Sequence, residues 1–214
     1  MPFNPGIFQG NGPGLVPASD GSATKYLSAN GGFSVPAGSG GSGAWTLIER
    51  QVLAATSSSI TFSSLAGYED LLVSIMARGD SAVTSLNVQC RFNGDSGTNY
   101  GYQKIQGTGT TASVANQGGT AATFLFPGIV PGSTAQANAC GYIDLAIPAY
   151  LRTVFNKIAF AKNSCQIGST TGSTSLLQTI NGFWANTAAI TSINLSPASG
   201  NFIIGSTFAV FGRA

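Results

Sequence analysis

The stretch LNVQCRF, residues 86–92, decides the fold class. Leu86, Val88, Cys90 and Phe92 alternate without a break against Asn87, Gln89 and Arg91. Successive side chains of a strand point to opposite faces, so this pattern gathers four apolar groups on one side. It predicts a sandwich-core strand with Leu86, Val88 and Phe92 inward and Asn87, Gln89 and Arg91 outward. Asn93-Gly94, directly after it, is a tight-turn dipeptide.

The same period recurs on both sides. WTLIERQVLA (45–54), SITFSSL (59–65) and DLLVSIMARG (70–79) precede it. Strand candidates at 122–126, 139–147, 153–161, 175–185, 190–195 and 206–211 follow. They are separated by Gly118-Gly119, Pro131-Gly132, Asn181-Gly182 and Ser199-Gly200-Asn201. Asn181-Gly182 could also split the 175–185 run into a hairpin. Helix caps ahead of a 3.6-residue period are scarce, and 147–155 has room for one short helical turn. About ten strands at such turn spacings predict an all-β, antiparallel β-sandwich, most simply jelly-roll-like, over residues 45–214.

Residues 1–44 read differently. They hold 11 of the 29 glycines and five of the nine prolines, with Asp20 and Lys25 as their charges. GSGGSGAW (38–45) reads as a flexible link. The expectation is an extended Gly/Pro-rich N-terminal arm (1–44) whose apolar anchors bind a partner protein. Those anchors are Phe3, Ile7, Phe8, Leu15, Val16, Tyr26, Leu27 and Phe33. The start of the chain has no basic n-region or apolar h-region, so no secretory leader is expected. No apolar run approaches the length of a membrane-spanning helix.

Charged residues make up 7% of the chain, where about a quarter is usual, while hydrophobic residues reach 43%. Net charge is +2 with the basic residues scattered, which argues against nucleic acid as a partner. The stretches 105–143 and 163–212 carry no charge at all. Either Ser and Thr coat these surfaces, or the surfaces are buried between subunits, where charge is depleted.

The residues offer little chemistry. There is no histidine, so Ser-His-Asp, Cys-His and His-metal arrangements are absent. No catalytic residue and no cofactor is expected. Glu69-Asp70 reads as a solvated turn, and Asp144 as an outward strand position or partner to a nearby base. Asp95 with Asn93 and Asn99 could ligate Ca²⁺ through oxygens, but turn-forming side-chain bonds explain the loop more simply. Phe183 and Trp184 must point to opposite faces, so one can be core and the other exposed. Tyr100 and Tyr102 share a face, as core, subunit contact or ligand platform. Cys90, Cys140 and Cys165 lack metal spacing and read as three buried thiols, or as one disulfide and a free thiol.

GLVPASDGSATKYLSANGGF (14–33) resembles the Gly-Leu-Val-Pro-Ala segments of tailed-phage fibre and appendage proteins. There the pattern typically ends in an Asp-Gly-Thr-Trp-like turn, replaced here by SANGGF. The body, from TLIERQVL through YEDLLVSIMARGD to NFIIGSTFAVFGR, is similar to a family of small phage virion proteins. The resemblance implies a virion accessory protein with a β-sandwich assembled as a homotrimer. One expectation is a capsid decoration or cement protein, made in the host cytoplasm and placed on the virion surface. Its arm would clamp the major capsid protein or other virion structural proteins, with no nucleic acid and no membrane as partner. The alternative is a tail fibre or spike that binds a host-surface glycan. A depolymerase is a third, weaker reading.

Overall fold

The computed structural model describes residues 26–27, 33–34, 43–168 and 174–214. The chain divides into two units, Met1–Ala44 and Trp45–Ala214. In the first, β1 (Tyr26–Leu27) pairs antiparallel with β2 (Phe33–Ser34), with Leu27 opposite Phe33.

The second unit is all-β. Its strands are β3 (Thr46–Val52), β4 (Ile60–Ser63), β5 (Asp70–Ala77), β6 (Leu86–Phe92), β7 (Tyr100–Thr108) and β8 (Thr111–Ala122). They continue with β9 (Leu125–Val130), β10 (Gly141–Ile147), β11 (Lys157–Gln166), β12 (Ser175–Trp184), β13 (Ser192–Pro197) and β14 (Thr207–Arg213). Eight of them form one antiparallel sheet in the order β3-β14-β5-β10-β11-β12-β7-β8. The other four form a second in the order β4-β13-β6-β9. Two open antiparallel sheets are consistent with a β-sandwich. The pairings are nested: β3 with β14, β4 with β13, β5 with β10, β6 with β9. Two hairpins interrupt the nesting, β7–β8 and β11–β12, and both extend the large sheet.

The predicted face of β6 holds. Leu86, Val88, Cys90 and Phe92 are buried, and Asn87, Gln89 and Arg91 are less so. Phe92 packs its ring against Tyr100 and Trp184, centroids 6.2 and 5.7 Å away, so strands from both sheets meet in this cluster. Inward rows of β5 (Leu71, Val73, Ile75) and β10 (Ile143, Leu145, Ile147) complete the core.

Several sequence expectations need correction. Only the start of β7 is expected as a strand, from the shared face of Tyr100 and Tyr102; the rest of β7 and nearly all of β8 are not among the strand candidates, because their Gly, Gln, Thr and Asn content masks the period. Gly118-Gly119 lies inside β8, and the hairpin turns instead at Gly109, whose φ is +55°. The 122–126 run splits at Thr123–Phe124 between β8 and β9. Residues 148–151 form a hydrogen-bonded turn, with Arg152 N donating to Ala149 O, and no helix is present among the described residues. The strand expected at 153–161 runs from 157 to 166.

β9 explains how the sheets are fastened. Its sequence, LFPGIV, contains a proline and a glycine, which suits an edge strand. Asn163 reaches across from β11. Its Nδ2 donates to Ile129 O and its Oδ1 accepts from Ile129 N, both at 3.0 Å. One amide side chain thus stands in for a neighbouring strand. A Cβ on Gly128 would lie 2.8 Å from Asn163 Cβ, so only glycine lets the two approach.

Candidate interaction surface

Most charged side chains of the body are engaged in holding loops. The Arg78 guanidinium donates to the carbonyls of Ser133, Ala135, Gln136 and Ala139, so one cation organises the charge-free 131–140 loop. Asp80 accepts from Asn201 N and Nδ2. Lys157 is 2% exposed and donates to the carbonyls of Arg152, Phe155 and Thr187; burial lowers its pKa. It fixes a loop that presents Val154 and Phe155 to solvent at 73% and 76% exposure.

The carboxylates singled out in the sequence have the same kind of role. Asp95 Oδ2 accepts from Trp184 Nε1 at 2.6 Å and Asn99 Nδ2 at 2.9 Å, and Oδ1 from Gly97 N at 2.8 Å. These donors hold its pKa below the ordinary value, the Trp184 bond most strongly and against the effect of burial. Asn93 Oδ1 accepts from Thr191 N and Ser192 N. The expected turn chemistry is therefore present, and the Asp95 and Asn93 oxygens considered for Ca²⁺ accept from N–H donors. Of the Glu69-Asp70 pair, Glu69 is exposed in a bend, as expected, but Asp70 is not a solvated turn residue. Glu69 pairs with Arg152, and Asp70, in β5, pairs with Arg213 and accepts from Ala149 N. Burial opposes the charge on Asp70, but Arg213 and the Ala149 N–H outweigh it and lower its pKa.

Trp184 and Tyr100 are fully buried, and Tyr102 packs on Phe126 with ring centroids 5.1 Å apart. Trp184 and Tyr100 belong to the core, and Tyr102 is partly buried against it. The three cysteines are free. Cys90 and Cys165 are buried, and burial, with a smaller contribution from Cys140, pushes the Cys165 thiol up to about 12. Cys140 is exposed, contrary to expectation, because it sits in the coil just ahead of β10.

Of the arm anchors, Phe3, Ile7, Phe8, Leu15 and Val16 lie outside the described residues. Tyr26, Leu27 and Phe33 fall on β1 and β2.

What the sequence did not single out is the outward face of the large sheet. Register aligns its side chains in three rows that cross the strands. One row runs Val52, Thr207, Met76, Tyr142, Ser164, Leu177. The opposite row runs Leu47, Phe211, Leu72, Ala146, Phe160, Asn181. Between them lie Arg50, Ala209, Ser74, Asp144, Lys162, Thr179, Ile105 and Val114. Asp144 is outward, as expected, and accepts from Tyr142 Oη at 2.8 Å; Tyr142 Oη in turn accepts from Ser74 Oγ. Nine large apolar side chains on the face, Ile158 among them, are 42–71% exposed. A groove of about 320 Å³ lies between Leu47, Met76 and Phe211, and one of about 220 Å³ beside Phe160, Gln103, Thr179 and Asn181. The signal that could have found the face is the strand alternation itself. Ile158, Phe160 and Leu177 are apolar at positions whose neighbours in sequence already fill the inward side.

Compared with protein-family models, with curated proteins and with solved structures, the chain matches none.

Proposed function

We propose that this chain is a structural accessory protein of a phage virion, made in the host cytoplasm and placed on the virion surface as a decoration or cement protein. It works by adhesion and not by catalysis. The body assembles as a homotrimer, and the arm, residues 1–44, clamps the major capsid protein or another virion structural protein. The observation that carries the reading is the wide apolar outward face of the large sheet. It sits on a body whose charged groups mostly hold loops, and such a surface suits permanent contact between proteins. The phage-like segment at 14–33 adds to it. The nested strand pairing also favours the finer reading of the fold as a jelly roll, a long hairpin rolled up, with β7–β8 and β11–β12 inserted.

The test uses particles lacking the protein. Full-length chain added back should bind in hundreds of copies per particle, and a chain lacking residues 1–36 should stay folded and fail to bind. Full occupancy without the arm would defeat the clamp. A copy number in the tens would favour the second reading, a tail fibre or spike that binds a host-surface glycan. The groove beside Phe160 favours that alternative specifically, since a half-exposed ring next to Gln103, Thr179 and Asn181 suits a sugar.

A further inference from the structure

The midline of the large sheet falls between β10 and β11, with four strands on either side. The outward residues that register pairs across this line are complementary: Asp144 with Lys162, Ala146 with Phe160, Tyr142 with Ser164. Acid stands beside base, and small beside large. Asp144 and Lys162 form no ion pair with each other, and Lys162 has no hydrogen-bond or ion-pair partner among the described residues.

We propose that this face packs against the same face of a second copy, about a two-fold axis parallel to the strands along the midline. That rotation exchanges β10 with β11 and β5 with β12. It sets Asp144 over Lys162 of the second copy, Phe160 over its Ala146, Tyr142 over its Ser164, and Met76 over its Leu177. The contact is isologous, so each of these pairs forms twice. Aligned sheets pack about 10 Å apart with interdigitating side chains, which alternating large and small residues permit.

The area fits. A large apolar side chain carries roughly 150 Å², so nine at about half exposure present on the order of 700 Å². The largest apolar patch of a typical monomer is about 300–600 Å², and each partner of a stable interface contributes about 800 Å². The two opposite charges at the centre favour a copy of this chain over an unrelated apolar surface, because in that register each gains a second opposite charge from the partner. The contact rests on the assembly reading above but goes beyond it. It closes at two copies, so a trimer must use other surfaces, and the two together give even-numbered assemblies.

Charge reversal on the full chain tests it. D144K makes the centre of the face wholly basic and K162D makes it wholly acidic. Each variant alone should weaken pairing at least about tenfold by light scattering or native mass spectrometry. Mixed, the two should recover it as a heterodimer, since both charge contacts between the copies are then favourable. Wild-type chain needs no substitution for a second measurement. Mixed light and heavy-isotope copies treated with a carbodiimide should give a light–heavy cross-link between residues 144 and 162. A wild-type chain that is a plain monomer or plain trimer, single variants that assemble normally, or a mixture no better than its parts would overturn the proposal. A plain trimer that still coats particles would leave the virion reading standing. Dimers that never bind particles would leave the contact standing and remove the virion reading.

Discussion

Asp95 shows how one side chain ties a loop to the core. Its carboxylate receives the indole N–H of Trp184, a fully buried residue 89 positions away, together with two donors from its own loop. The folded state lowers its pKa, so its contribution is present above the unfolded value of about 4 and is lost as pH falls through the folded value. Asp95→Asn should cost about 1–2 kcal/mol at pH 7. The gap to wild type should narrow as pH falls below the ordinary carboxylate value, read from urea midpoints at neutral and acid pH; a constant gap would mean that charge is not what matters. Phe92→Ala should cost about 3–5 kcal/mol, because it empties the centre of the cluster with Tyr100 and Trp184. A loss under about 1 kcal/mol in the same denaturation would show that the site collapses to fill the space. The direction of Phe92 was legible from alternation. The partner of Asp95 was not, since nothing local to residue 95 points to residue 184.

At the scale of the element, β12 shows where local rules give way. Asn181-Gly182 has the composition of a hairpin turn, yet β12 runs unbroken from Ser175 to Trp184. Ladders on both sides, to β11 and β7, hold it straight. The glycine is needed for space: a Cβ there would lie 2.2 Å from Leu125 Cδ1. Gly182→Ala should therefore destabilise by about 1–3 kcal/mol through overpacking, and the double variant with Leu125→Ala should lose less than the sum of the two single losses. Additive losses in thermal melts of the single and double variants would show that backbone freedom, not Leu125, requires the glycine. β7 and β8 give the opposite lesson. Their sequence lacks a strong strand signal, and the ladder from Tyr102–Gln117 to Thr108–Thr111 forms because β12 supplies an edge for β7 to join.

For the whole molecule, the composition break near residue 44 coincides with the division between Met1–Ala44 and Trp45–Ala214. Limited proteolysis of the free protein should cut first within residues 1–44 and leave a resistant fragment close to 45–214, sized by mass spectrometry. Early cuts inside the body would contradict a single cooperative unit. The sequence alone determined the all-β class, the inward row of β6, and the core position of one residue of the Phe183–Trp184 pair. Each of these follows from period, composition or residue type, which are local properties. The tertiary structure alone decided strand order, the nested pairing of the ends of the body, and the use of single charged side chains to hold distant loops. It also decided that the outward apolar residues of six or more strands lie in register on one face. Hydrogen-bond ladders join residues more than a hundred positions apart, and a face exists only once those ladders are in place.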